Sequence, residues 1–113
     1  MPWEDFEMRT LNFKDAVSGT ISATTALDLK VQENARQTWE FLTDSNNVKV
    51  ILFSVFTDDD GTETEGQIQE VSLTANTLTI VNFNMKLGHT RCKYDDTGSA
   101  MSGTLRIKAT AAK

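Results

Sequence analysis

The sequence is almost without cysteine and proline, with one residue of each in 113. A single cysteine, Cys92, excludes an intramolecular disulfide, which fits a reducing compartment. The single proline, Pro2, leaves the rest of the chain free to form long strands. No stretch reaches the roughly 20 apolar residues of a membrane-spanning helix, and the acidic N-terminal segment lacks the basic start and apolar centre of a signal peptide. We therefore expect a cytoplasmic protein.

Positive charge is also scarce, because 11 Lys and Arg face 16 Asp and Glu and the net charge is -5. The basic residues are scattered, whereas binding to phosphate backbones or anionic lipid requires clustered Lys and Arg. Nucleic acid is therefore not the expected partner. The length predicts one domain over residues 1–113, able to bury a core without disulfides or metals. We expect loose termini at 1–7 and 111–113.

Alternation of apolar and polar residues with a period of two recurs along the chain and indicates strands with one buried face. It is clearest in Ile21–Val31 and Leu105–Ala109, whereas the nearly continuous apolar run Val48–Phe56 is typical of a central strand. These features predict an all-β fold, an antiparallel β-sandwich of jelly-roll type with about seven or eight strands. The predicted strands are 8–13, 21–31, 36–42, 48–56, 67–75, 77–87, 91–94 and 104–110.

Clusters of turn-forming residues separate the predicted strands. Between Ile80 and Val81 the apolar residues change from even-numbered to odd-numbered positions. A shift of one residue in register exchanges the two faces of a strand, so we predict a β-bulge there. Turns, breaks or loops are expected at 14–19, 32–35, 43–47, 57–66, 88–89 and 95–103.

The segment Val31–Leu42 also permits a helix, because Val31, Ala35, Trp39 and Leu42 recur at helical spacing. The clean alternation before it and the turn cluster after it favour a hairpin. In that hairpin Trp39 and Phe41 face inward. We expect Trp39 to be a core residue whose indole N–H finds a partner.

The acidic run Asp58, Asp59 and Asp60 with Glu63 is the candidate cation site of the chain, since calcium binds through several carboxylate oxygens. The EF-hand spacing fails, because Phe56 occupies the position of its first ligand. A solvated hairpin tip with an Asp-Gly turn accounts for the same residues. We therefore predict neither a bound metal nor a cofactor.

His89 and Cys92 are the only imidazole and thiol, and they form an isolated H-x-x-C pair. A zinc site requires further ligands, and a catalytic cysteine requires a base positioned beside it. We interpret Cys92 as a buried, inert core residue. With no catalytic motif elsewhere, we predict that the protein is not an enzyme.

Two segments, 20–57 and 93–111, resemble the Golgi-dynamics (GOLD) domain. In the first, Trp39-Glu40-Phe41 takes the place of the family's Trp-x-Phe strand, and a polar turn leads to an apolar strand. In the second, Tyr94-Asp95-Asp96 is similar to a Phe-Asp-Asn triplet that precedes a Ser-containing loop and an alternating last strand. Asp96 departs from the family pattern, which usually has Asn.

The resemblance implies a non-enzymatic GOLD-like adaptor with Trp39, Phe41, Tyr94 and Asp95 as its core signature. Such a domain would bind a protein partner in vesicle trafficking or lipid transfer, in the cytoplasm or at the periphery of Golgi or vesicle membranes. Binding by strand addition at a sheet edge is the expected means. Two alternatives stay open: a lipocalin-like barrel for a small apolar ligand, and a structural subunit of a virion or tail.

Overall fold

The computed structural model describes the backbone of residues 8–112 and the side chains of residues 10–30, 36–84 and 87–112. This part of the chain is all-β, as the alternation predicts, and none of its elements is a helix that could cross a membrane. The helical alternative for 31–42 is therefore wrong. The strands are β1 (Met8–Gly19), β2 (Thr24–Thr43), β3 (Val48–Thr57), β4 (Glu63–Ser72), β5 (Thr79–Asp96) and β6 (Met101–Ala112).

The strands form a two-layered sandwich because the two longest strands contribute to both layers. Antiparallel hydrogen bonding joins six strands in the order β1-β6-β2-β5-β3-β4. The first layer contains β1, β6, the second half of β2 and the first half of β5. The second layer contains the first half of β2, the second half of β5, β3 and β4. Counted by layer, this gives 8 strand segments in two sheets.

Aromatic side chains fill the centre of the sandwich. Trp39 and Phe41 on β2 are fully buried, with ring centroids 6.3 Å apart and planes inclined by 16°. The Trp39 indole N–H donates to Oε1 of the buried Gln37 at 3.1 Å, so it has the partner that burial requires. Across the core, Phe13 on β1 packs against Tyr94 on β5 at 6.3 Å. This contact joins the two layers, and the burial of apolar area stabilises their packing.

The expected tight turn at 32–35 is wrong, because β2 continues from Thr24 to Thr43. Residues 24–30 pair with the second half of β5 and residues 35–41 with its first half. The register shifts between these two blocks, at Lys30 to Ala35 and at Ala35 to Gln37. Such irregularities let a strand bend without a chain reversal, and β2 uses them to pass between the layers.

The β-bulge predicted near Ile80–Val81 is also misplaced. Pairing of β5 with β2 runs without a shift from Thr79 to Phe83, and the irregularity lies further along the strand. Val81 and Phe83 are buried, whereas Ile80 is 54% exposed. The change from even-numbered to odd-numbered apolar positions therefore reflects an apolar residue on the outer surface rather than a shift in the register of the strand.

Three other segments that were expected to lie outside strands belong to strands. The expected turn at 14–19 belongs to β1, which pairs with β6 as far as Gly19. The expected break at Gly88-His89 lies within β5. At the C-terminal end, Ala111 is buried and pairs with both β1 and β2, so the strand continues beyond the predicted point of fraying. Residues 1–7 and 113, also predicted to be loose, lie outside the described residues.

Two fully buried threonines should respond in opposite directions to replacement by valine. The hydroxyl of Thr90 finds no hydrogen-bond partner among the described residues. An unpaired buried hydroxyl is unfavourable, so Thr90→Val should raise the free energy of unfolding by about 1 kcal/mol.

Thr43→Val is the matched control, because the Thr43 hydroxyl donates to the Thr104 carbonyl at 2.9 Å and accepts from the Ser45 N–H at 3.0 Å. This change should lower stability by about 1–3 kcal/mol. Urea unfolding of both variants measures the two effects, and a loss of stability in Thr90→Val would contradict the assignment.

Candidate interaction surfaces

A network of charged side chains crosses the outer face of the second layer. Arg91 on β5 lies at its centre, with Nε 2.8 Å from Asp28 on β2, Nη1 2.8 Å from Glu65 and Nη2 3.0 Å from Glu63, both on β4. Lys93 Nζ is 2.8 Å from the other Glu65 oxygen and stacks over the Phe53 ring at 5.1 Å. We call these residues, with His89 beside Asp28, the charged network.

The charged network stabilises the ionised form of its carboxylates. Burial opposes ionisation of Asp28, but hydrogen bonds to His89 and Arg91 outweigh it and lower the pKa of this carboxyl. Hydrogen bonds from Lys93 and Arg91 likewise lower the pKa of Glu65, and the same contacts, led by Glu65, raise the pKa of Arg91. Each of these charges has a partner, so the network ties β4 and β2 to β5.

The candidate cation residues divide between this network and the hairpin tip. Glu63 lies in β4, not in a loop, and binds Arg91. Asp58 and Asp60 both accept the Thr62 N–H, at 3.1 and 3.0 Å. A hydrogen bond with Asp58, together with Thr62, lowers the pKa of Asp60 to about 2. Within the described ranges, no group of three or more His, Cys, Asp or Glu could hold a metal ion.

His89 and Cys92 do not act together. The His89 Nε2 lies 2.7 Å from Asp28 on the outer face, and Cys92 is fully buried on the inner face of the same strand. Burial raises the pKa of the Cys92 thiol, which keeps it protonated and unreactive. The prediction of a buried cysteine on the inward face is confirmed.

The two segments that resemble a GOLD domain meet at one end of the sandwich, in an arrangement we call the polar clasp. Here the turn at 44–47 contacts the loop at 97–100 and the start of β6. Asp44 accepts the Thr104 N–H and Ser45 accepts the Ser102 N–H, each at 2.7 Å. Asp96 accepts the Gly98 N–H at 2.7 Å and the Ile21 N–H at 2.9 Å. Side-chain hydrogen bonding of the loop therefore persists with Asp at this position.

The outer face of the first layer combines basic and apolar side chains. Lys14 on β1 lies directly opposite Arg106 on β6, and Arg106 in turn lies opposite Leu42 on β2. Beyond Leu42, Leu78 just before β5 and Ile80 near its start are 52% and 54% exposed. We call Lys14 and Arg106, together with Lys108, the basic face.

Sequence reasoning missed both charged surfaces. Arg91 and Lys93 flank the buried Cys92, and Glu63 and Glu65 are likewise two residues apart, so each pair shares one face of its strand. Opposite charges with this spacing signal cross-strand pairing. The turn-forming residues of 57–66, however, predict a loop that includes Glu63 and Glu65, and this conceals the signal. Lys14 and Arg106, separated by most of the chain, carried no local signal.

No family model and no curated protein matches this chain. Solved structures of similar fold do exist, at sequence identities that show the fold alone. The SPBc2 prophage-derived protein YomS has a TM-score of 0.59 and 10% identity, over 94% of this chain and 93% of that one. A protein of Bacillus endospore appendages, described as disulfide-linked pili, has a TM-score of 0.55 and 8% identity, over 93% and 88%.

A third similar structure is the VP2 protein of infectious bursal disease virus from derived T=1 particles. Its TM-score is 0.53 at 10% identity, over 93% of this chain but 36% of that one. The chain is thus a β-sandwich module of a kind found alone and inside larger proteins. None of these three structures is described as a GOLD domain, so that resemblance stays a prediction without support from the comparisons.

The charged network should contribute measurably to stability through Arg91. Its side chain is only 15% exposed and binds three carboxylates, so Arg91→Ala removes several charge-assisted hydrogen bonds at once. We expect a loss of about 2 kcal/mol in urea unfolding. Arg36→Ala is the control, since Arg36 is exposed and forms no ion pair with a described residue, and should change stability by less than about 0.5 kcal/mol. Equal losses in both variants would count against the network.

The same network predicts the pH dependence of stability. Folding lowers the pKa of Asp28 and Glu65, so in acid the unfolded chain binds more protons than the folded one. Their contribution is complete above the unfolded pKa values of about 4 and is lost as pH falls through the lower folded values. The difference in urea midpoint between the wild type and Arg91→Ala should therefore shrink from pH 7 to pH 3. A difference that stays constant would contradict this account.

Proposed function

We propose that this protein is a non-catalytic structural subunit that associates with other proteins through an open strand edge of its first layer. The observation that carries the proposal is the first half of β5. Residues 79–83 pair with β2 on one side and with no described strand on the other. This edge contains no charged residue. Its Ile80 side chain is more than half exposed, as is that of the preceding Leu78.

The other three edges of the sandwich carry charged residues that discourage strand addition. β1 contains Lys14 and Asp15, β4 contains three glutamates, and the first half of β2 contains Asp28 and Lys30. Charged residues on edge strands are a common protection against unwanted pairing. The contrast between these edges and residues 79–83 supports association at β5 in particular. Strand addition there would satisfy the free backbone groups, and the exposed apolar side chains would add burial.

The similar structures support an assembly role over the other candidates. Their descriptions include pili and virus-derived particles, which are built from repeated protein subunits. Cys92 is the only cysteine and is buried, so association of this chain would be non-covalent. The alternative of a ligand-binding barrel is weaker, since side chains fill the space between the layers and the depressions beside Leu42 open on the outer face. The trafficking role implied by the GOLD resemblance, and its cytoplasmic or Golgi location, stay predictions.

The assembly role predicts that the purified protein forms oligomers as its concentration rises. Light scattering after size exclusion and negative-stain microscopy, from micromolar to millimolar protein, would detect rings, tubes or fibres. Ile80→Lys places a charge at the β5 edge and should suppress them, because desolvating a lysine in a paired edge is unfavourable. Gln69→Lys adds the same charge on the β4 edge and should leave assembly unchanged. A wild-type protein that stays monomeric throughout this range would refute the proposal.

A further inference from the structure

Three large apolar side chains stand out as exposed among the described residues, and they occur at two places. Leu78 and Ile80 border the basic face at 52% and 54% exposure, and Phe56 is 68% exposed at the end of β3. Exposed apolar groups of this size next to charged residues are typical of interaction surfaces. The two places are therefore candidates for contact with a partner of matching chemistry.

The basic face forms an open groove beside Leu78. A depression of about 300 Å³ is lined by Leu42, Leu78, Lys14, Arg106 and Lys108, among others. Lys14 and Arg106 are directly opposite each other on neighbouring strands. Like charges in this arrangement destabilise a sheet, and an anionic partner placed between them would relieve the repulsion.

Two acidic side chains lie on the same face and limit its positive charge. The Asp44 carboxylate accepts the Thr104 N–H, and Glu40 lies opposite Lys108 in the register. Neither forms an ion pair of 4 Å or less with a basic side chain of this face in the described ranges. The groove between Lys14 and Arg106 thus keeps its two positive charges.

The hairpin between β3 and β4 carries the complementary chemistry. Phe56 lies beside Asp58, Asp59 and Asp60, and the four residues line one depression. The three carboxylates, which we call the acidic tip, are exposed. Unlike Glu63 and Glu65, they form no ion pair with a described residue. An exposed aromatic ring with adjacent negative charge matches an apolar groove with adjacent positive charge.

The acidic tip and the basic face lie far apart within one molecule. β3 starts at the polar clasp and runs for 10 residues, so at about 3.3 Å per residue its far end is roughly 30 Å from the clasp. Leu78 is close to the clasp, because the neighbouring Asn76 N–H donates to the Thr43 carbonyl at 2.7 Å. The two surfaces also belong to different layers, so one copy cannot join its own tip to its own face.

We propose that the acidic tip and Phe56 of one copy dock on the basic face of a second copy, beside Leu78 and Ile80. This inference rests on the proposed assembly role and names the partner at the open edge as another molecule of the same chain. Because the two surfaces differ, a copy bound through its tip still has its own basic face free. A contact of this kind can repeat, as rings and fibres require.

Charge reversal tests the docking directly. The tip variant is Asp59→Lys with Asp60→Lys, which spares Asp58 and its hydrogen bond to Thr62. The face variant is Lys14→Glu with Arg106→Glu. It replaces one pair of like charges facing each other across β1 and β6 with another such pair. Each variant alone opposes like charges across the contact, so the protein concentration for half-maximal assembly should rise at least about tenfold.

Mixing the two variants in equal amounts should restore assembly, because every tip then finds a face of opposite charge. The mixture also restores the average net charge of the wild type, which separates the docking from general repulsion. Circular dichroism of each variant checks that it is folded. Phe56→Ala is a further variant that keeps all charges and should weaken assembly through the lost apolar contact alone.

The outcomes separate this inference from the proposed function. A wild type that assembles while both charge variants assemble equally well overturns the tip-to-face contact and leaves the structural role standing. Folded variants that fail to assemble alone and also fail when mixed overturn it in the same way. A wild type that never assembles refutes the structural role itself.

Discussion

The passage of β2 and β5 between the two layers is the constraint on which the rest of the structure depends. Each strand supplies half of its length to each sheet, so the layers are joined by continuous backbone hydrogen bonding as well as by side-chain packing. The same passage determines where the sheets end. It leaves residues 79–83 of β5 at an edge of the first layer and places residues 90–94 between two partners in the second.

The charged network and the acidic tip illustrate how one short segment can serve two purposes. Glu63 and Glu65 follow the tip by a few residues and are bound by Arg91 and Lys93. They stabilise β4 as an edge strand that other chains do not readily join. Asp58–Asp60 precede them and remain exposed to solvent, where their charge is available to a partner.

Much of the interior was predictable because burial leaves a local trace in the sequence. The inward positions of Trp39, Phe41, Cys92 and Tyr94 follow from period-two alternation, and all four are buried. The contacts made on the outer surfaces have no such local pattern in the sequence. Ile80 is apolar and exposed, so the alternation predicts a core residue there and a bulge at a point where the strand pairs without a shift. Sequence reasoning therefore failed at a residue of the candidate interaction edge, where local and global preferences are expected to conflict.

The sequence by itself determined the all-β class, the inward face of most strands and the buried cysteine, because these depend on neighbours two residues apart. Only the tertiary structure decided that residues 24–43 form one strand rather than two, since a bend and a turn contain similar residues. It also decided that Arg91 meets Glu63, Glu65 and Asp28, and that Lys14 lies opposite Arg106. These pairs are separated by 26 to 92 residues, as the numbering shows, and only the register of the assembled sheet brings them together.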